Sequence, residues 1–366
     1  MFLRNAWYAA GFSDEFGRSL IGRTYLNESV VIYRTREGAP IALEDRCAHR
    51  RLPLSMGRLV DDRVECGYHG LLYDCAGKCV KIPGQSTESI PPGARVRSYP
   101  VEDRHFYLWI WMGDPARADP SLIPDFSGLD TPGVARHRIK LHLDCNFQLV
   151  VDNLLDLSHL AYVHSTTTGN AALAEDALVK TMRDGDTVDI KRWVRNVAPS
   201  PTFSQFGGYQ GQVNLWQVSR YSPPTYIRVS YGSSDASVPM SEDSDIWSHG
   251  TWGFDIFHGI TPETERTTHQ FRYVGYRANF GDEAAIGEFV RQCDQIIGED
   301  RDIFAIQQRA LDTDPRHFSA QDIQSTAPIH ADQGLVMARR ILDQRVRAEA
   351  ADATRSATLA PMPASA

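Results

Sequence analysis

Cys47-Ala48-His49-Arg50 and Cys66-Gly67-Tyr68-His69-Gly70, with sixteen residues between His49 and Cys66, carry the decisive pattern of this chain. Two Cys-and-His pairs on two turns make a four-ligand metal site. Zinc is the first competitor, because it too accepts two thiolates and two imidazoles. The pairs are unequal, however: Cys-x-His and then Cys-x-x-His. That asymmetry suits a two-iron, two-sulfur cluster in which Cys47 and Cys66 hold one iron and His49 and His69 the other. Replacing two thiolates by neutral imidazoles raises the reduction potential to about −150 to +300 mV, against about −400 mV for an all-cysteine cluster. Cys75 and Cys79 stand close by without a histidine partner and read as packing residues.

Around this pattern, residues 1–117 read as an all-β domain. Val30-Val31-Ile32-Tyr33 and Phe106-Tyr107-Leu108-Trp109-Ile110-Trp111 are β-branched or aromatic runs. Gly38-Ala39-Pro40, Asp61-Asp62 and Cys75-Ala76-Gly77 supply turn chemistry. Prolines 115, 120 and 124 then interrupt periodic structure and mark a boundary. Residues 118–345 show a helical pattern near 147–163, strand-like segments over 186–276 and a helix over 283–311. Without βαβ alternation this predicts an α+β domain with an antiparallel sheet and flanking helices. Residues 346–366 have almost nothing to bury and read as a loose C-terminal tail.

Composition narrows the function. A formal net charge of −8 across 366 residues argues against nucleic-acid binding. No run of eighteen apolar residues predicts a membrane span, and the opening Met-Phe-Leu-Arg lacks a secretory pattern. Six cysteines are too sparse for a disulfide scaffold, so a cytoplasmic protein with metal-binding thiolates is expected.

A second constellation lies in residues 146–164. Leu149, Val150, Leu154, Leu157 and Leu160 form a helical stripe, with Asn153, Asp156 and His159 on a neighbouring part of the same helix. His159 and His164 are five apart, about 140° around a regular helix, so they converge only if the helix is irregular between Leu160 and Val163. Two imidazoles plus one carboxylate form the facial triad of oxygen-activating non-haem iron. On the 283–311 helix, Asp300 falls within the apolar stripe of Phe289, Cys293, Ile296 and Phe304, whereas Asp294, Glu299 and Asp302 fall to its sides. A buried acid must be paired or bind metal, which makes Asp300 the third ligand.

These motifs resemble the Rieske non-haem iron aromatic-ring oxygenase family, over nearly the whole chain. The family's iron motif stands as Asp156-Leu157-Ser158-His159-Leu160-Ala161-Tyr162-Val163-His164, and its late helix as Glu299-Asp300 with Gln307-Gln308. Asn5-Ala6-Trp7-Tyr8, Ile82-Pro83-Gly84-Gln85 and Ile260-Thr261-Pro262-Glu263 are similar to the vanillate O-demethylase branch. The resemblance implies a terminal oxygenase component that O-demethylates an aromatic acid, with N-dealkylation or ring hydroxylation as the alternatives. It implies a [2Fe-2S] cluster, a mononuclear Fe(II), O2, and a head-to-tail homotrimer in which Asp156 links His69 of one subunit to an iron-ligand histidine of the next. Asn153 and Asp156 are the catalytic candidates, and His258 a candidate substrate contact.

No Gly-x-Gly-x-x-Gly follows a strand, so a separate NAD(P)H-dependent reductase, with or without a ferredoxin, must deliver the electrons. A Rieske electron-transfer protein lacking catalytic iron and a zinc-binding interaction module are the rivals from other classes. Iron content separates them: three, two and none per chain. His105, His137, His142, His249, His269, His317 and His330 show no partner pattern and read as structural.

Overall fold

Val30–Tyr33 and Tyr107–Trp111 become fully buried strands because both of their faces are apolar. A computed structural model describes residues 1–240, 251–277, 281–314 and 329–359. Its N-terminal part contains β1 (Trp7–Phe12), β2 (Ile21–Tyr25), β3 (Glu28–Arg34), β4 (Pro40–Glu44), β5 (Arg58–Val60), β6 (Arg63–Glu65), β7 (Leu72–Tyr73), β8 (Cys79–Lys81), β9 (Ser98–Tyr99), β10 (Val101–Arg104) and β11 (Tyr107–Trp111). They form three small sheets, ordered β1-β11-β10, β2-β3-β4-β9 and β5-β6-β7-β8. Turn residues sit where the sequence places them. Gly77 has φ +75°, and a Cβ there would stand 2.3 Å from the Val96 carbonyl oxygen, so both conformation and space demand glycine.

The second part is built on a seven-stranded antiparallel sheet ordered β12-β18-β17-β16-β15-β14-β13. Its strands are β12 (Val134–Leu143), β13 (Leu178–Asp184), β14 (Thr187–Val197), β15 (Val213–Ser222), β16 (Tyr226–Asp235), β17 (Thr251–Pro262) and β18 (Thr268–Arg277). Five of the six links join neighbours in sequence. The sixth brings the first strand, β12, back beside the last.

The two faces of β17 and β18 divide by the period of two. Phe257, Phe271 and Tyr273 join Trp7, Trp109 and Phe126 in an aromatic cluster against the N-terminal part. Tyr107 locks that contact by donating its hydroxyl to the Phe257 carbonyl at 3.0 Å. Ile256, His258, Arg272 and Val274 alternate with these residues, and Ile256, His258 and Arg272 line a cavity on the opposite face.

Helix α1 (Phe147–Leu155), the short helix α2 (Leu160–Val163) and the long α5 (Glu283–Thr313) lie over the cavity face, with α3 (Ala171–Glu175) and α4 (Pro201–Phe206) between α2 and α5 in sequence. The Asp282 carboxylate caps α5 by accepting from Ala285 N at 2.8 Å. Phe289, Cys293, Ile297 and Phe304 are its buried apolar residues; Ile297 rather than Ile296 belongs to this buried stripe, and Ile296 lines the cavity.

The expected loose tail is corrected through Leu359. Helix α6 (Gln333–Leu359) continues well past residue 346. Its first turns are anchored by buried Ala338 and Ile341, and by Arg339, whose Nε donates to Asp152 at 3.0 Å. Once nucleated there, an alanine-rich sequence propagates at little cost. Glu349 on this helix accepts the backbone N–H groups of Arg4 and Asn5, at 2.7 and 2.6 Å. Residues 360–366 lie outside the described residues. No described helix is long and apolar enough to cross a membrane.

Candidate metal centres and substrate cavity

The two Cys/His loops share one backbone design. Cys47 N–H donates to Leu52 O at 2.9 Å, and Arg51 N–H to Cys47 O at 3.0 Å. Cys66 N–H donates to Leu71 O at 2.9 Å, and Gly70 N–H to Cys66 O at 3.1 Å. Arg51 and Gly70, at equivalent places, take left-handed φ of +65° and +71°. The cysteines are 2% exposed, whereas both histidines face solvent with ring centroids 4.6 Å apart. Tyr73 hydroxyl stands 3.2 Å from Cys47 Sγ.

The donor layout distinguishes the two metal readings. A single zinc at about 2.0–2.3 Å from each ligand would draw all four donors together. Buried thiols on one side and paired imidazoles on the other fit two irons.

The triad is assembled by breaks in the chain. Helix α1 ends at Asp156 (φ −117°, ψ 88°), whose carboxylate accepts from Ser158 N at 3.0 Å and Ser158 Oγ at 2.6 Å. This local cap outcompetes the helix, and a single 3-10 turn, Leu157–His159, follows. One α turn, α2, then stops at His164 (φ −111°, ψ 33°), whose carbonyl accepts from Thr167 N and Gly169 N. The irregularities therefore flank α2, and the one expected inside Leu160–Val163 is absent. Asn153, Asp156 and His159 consequently do not share one helix. The rings of His159 and His164 still converge, at 5.3 Å between centroids.

Each imidazole has its Nδ1 engaged: His159 with the Asp156 backbone carbonyl at 2.7 Å, His164 with Glu299 Oε2 at 2.6 Å. Both Nε2 atoms point at Asp300 Oδ1, at 3.7 and 3.1 Å. Adjacent donors on an octahedral ion at about 2.1 Å stand about 3 Å apart, so the residues fit one iron. Burial holds His159 below the usual histidine range, which keeps it neutral despite Asp300. Burial would also depress His164, but Asp300 and Glu299 outweigh it and raise its pKa. A divalent cation bound by this triad would take the place of that proton.

Asn153 Nδ2 lies 3.4 Å from both His159 Nε2 and Asp300 Oδ1. The Asp156 carboxylate meets Ser158, and Arg192 Nη1 at 3.7 Å, rather than an imidazole. Its backbone carbonyl, not its side chain, orients His159 within the chain. Glu299, which the apolar stripe left to one side, grips His164 because residues 299 and 300 flank a single ring.

The triad opens on a cavity floored by three rows of cross-strand neighbours: Gln217, Tyr231 and Phe254; Val229 and Ile256; then His258 and Arg272. His258 is 1% exposed, and Gln270 Nε2 donates to its Nδ1 at 3.0 Å. Burial, then the nearby Arg272 charge, pushes its pKa far down. Arg272, Gln217 and Gln270 were not singled out by sequence; the signal was a charge set in the aromatic run Phe271-Arg272-Tyr273. His105, His137 and His142 sit beside Asp130, Asp294 and Glu263. His249 and His317 lie outside the described residues.

Comparison with known proteins agrees with this anatomy. Residues 6–100 match the Rieske [2Fe-2S] domain and residues 143–348 the vanillate O-demethylase oxygenase C-terminal domain. The chain is 36% identical to the toluene-4-sulfonate monooxygenase iron-sulfur subunit of Comamonas testosteroni, covering 95% of this chain and 98% of that one. It is 34% identical to a vanillate O-demethylase oxygenase subunit from a Pseudomonas species, covering 96% and 98%. The crystal structure of dicamba monooxygenase with 3,6-dichlorosalicylic acid superposes with a TM-score of 0.84 at 29% identity, covering 96% and 99%; that enzyme has also been solved with non-haem iron and dicamba. An all-β cluster domain, a large antiparallel sheet under a mononuclear iron site, and these full-length relatives make the chain a Rieske non-haem iron monooxygenase, the oxygenase component of a multicomponent system that draws electrons from a separate reductase.

Proposed function

We propose that this oxygenase removes the methyl group of a methoxylated aromatic acid, a vanillate-like methoxybenzoate. The observation that carries the reading is the convergence of two Nε2 atoms on Asp300 Oδ1 at the wall of a largely apolar cavity. In this reading residues 1–117 carry the cluster through Cys47, His49, Cys66 and His69. Residues 118–345 carry the iron through His159, His164 and Asp300. When bound, the cluster supplies single electrons and the mononuclear iron activates O2.

The chain's own residues set the stage. Glu299 and the Asp156 carbonyl fix both imidazoles with Nε2 toward the metal. Leu154, Leu157 and Ile256 line an apolar space that excludes water from the methoxy carbon. One oxygen atom enters that carbon, and the resulting hemiacetal collapses to a phenol and formaldehyde. The second oxygen leaves as water, with two electrons from the nicotinamide and two protons.

The solvent-facing imidazoles of His49 and His69, beside a 63% exposed Tyr68, suit electron exit across a subunit boundary. A head-to-tail trimer places that edge against a neighbour's Asp156. Asn153, within reach of a ligand imidazole and of Asp300, positions the triad.

The test pairs the purified protein with a suitable reductase and assays formaldehyde from a methoxybenzoate panel. Stoichiometric formaldehyde and phenol are expected. Hydroxylated product without formaldehyde would move the assignment to ring hydroxylation, and formaldehyde from N-methyl substrates alone to N-dealkylation.

A further inference from the structure

Arg272 is a feature of the cavity that iron chemistry does not explain. It is 4% exposed, on β18, the second strand of the sheet, and lines the cavity. Among the described residues no carboxylate forms an ion pair with it, and its Nε has no hydrogen-bond partner. Asp300 and Asp294 act on it only as more distant charges, with burial the larger influence. Asp300 is already committed to the two imidazoles. A guanidinium kept out of water without a counter-ion is costly, and a fold tolerates it where a ligand supplies the missing charge.

His258 completes the arrangement. It is directly opposite Arg272 on the neighbouring strand, so the two side chains rise side by side from the floor. Because Gln270 donates to Nδ1, the neutral ring carries its proton on Nε2. That Nε2 is buried and has no partner. A cation and a neutral N–H donor, both unpaired, thus share one corner of the cavity. Gln217 Oε1, an unpaired acceptor two rows away, suits a neutral hydroxyl rather than an anion.

We infer that Arg272 and His258 form an oxyanion anchor, which holds the carboxylate or sulfonate of an aromatic substrate and directs its opposite end to the iron. This rests on the oxygenase reading above and deepens it, by assigning the acid group to named residues. Arg272 is a specificity-determining residue: it binds the substrate's charge and takes no part in oxygen chemistry.

The test is calorimetric binding of 4-methoxybenzoate, 4-toluenesulfonate and neutral 4-methoxybenzamide to the purified protein. The wild type is expected to bind an anion at least about tenfold tighter than the amide, and the tighter anion names the headgroup. Arg272→Gln should erase that preference by weakening anion binding about tenfold or more, with the amide unchanged, and Arg272→Lys should restore part of it. Equal affinity for anion and amide, binding of neither anion, or an Arg272→Gln protein that keeps the preference would each overturn the anchor. If Arg272→Gln fails to fold, the wild-type comparison decides alone. Formaldehyde assays separate the two readings: charge preference without demethylation leaves the anchor standing and removes the demethylase, and demethylation without charge preference does the reverse.

Discussion

Glu299 and Asp300 hold opposite sides of one imidazole, with Glu299 Oε2 2.6 Å from His164 Nδ1 and Asp300 Oδ1 3.1 Å from its Nε2. Adjacent residues on a helix diverge by about 100°, so the ring lies in the notch between them. Glu299→Gln should therefore weaken retention of the mononuclear iron about 10- to 100-fold, the usual range for losing such an orienting partner. Iron analysis after a chelator challenge reads this. An unchanged iron content would show that Glu299 does not position His164.

His159→Ala should lower iron from three to two per chain. It should leave the brown cluster absorption intact and abolish turnover, because the two sites share no ligand. Retained formaldehyde production would remove His159 from the triad.

The Asp152–Arg339 pair ties α6 to α1, and Gln148 Nε2 donates to the same carboxylate at 3.0 Å. Arg339→Ala strands that carboxylate and should cost about 3–5 kcal/mol. Adding Asp152→Asn should recover part of the loss. Denaturant melts showing no loss for Arg339→Ala would mean that α6 is held by its apolar residues alone.

Glu15 provides the pH test. Burial acts to raise its pKa, but hydrogen bonds from Lys140 (2.5 Å), Arg23 and Phe12 N overcome it and hold the carboxyl below the usual glutamate value. A depressed folded pKa contributes stability that is present above the unfolded value and lost as pH falls through the folded one. Glu15→Gln should cost about 1 kcal/mol at pH 7, with the gap to wild type closing below about pH 4. A gap that widened on acidification would refute the sign.

Much of this anatomy was legible in the sequence because metal ligands obey spacing rules. Cys47, His49, Cys66 and His69 lie on two short turns, and Asp300 betrays itself as an acid on an apolar stripe. The break at Asp156 was misplaced because helical periodicity ignores a carboxylate that caps the residues after it. Arg272 escaped because its meaning depends on which strand pairs with β18, a relationship about 14 residues away in sequence that no local pattern encodes. The C-terminal helix was missed for a related reason: Glu349 finds its partners at Arg4 and Asn5, the far end of the chain.

The three-row floor has an evolutionary consequence. The proposed iron ligands come from breaks around α2 and from α5, whereas the residues proposed to meet a substrate stand on rigid strands, one exchangeable side chain at a time. Altering Gln217, Val229, Ile256 or Arg272 retunes what is recognised without disturbing what oxidises it. A lineage can thus inherit its chemistry intact while changing its diet.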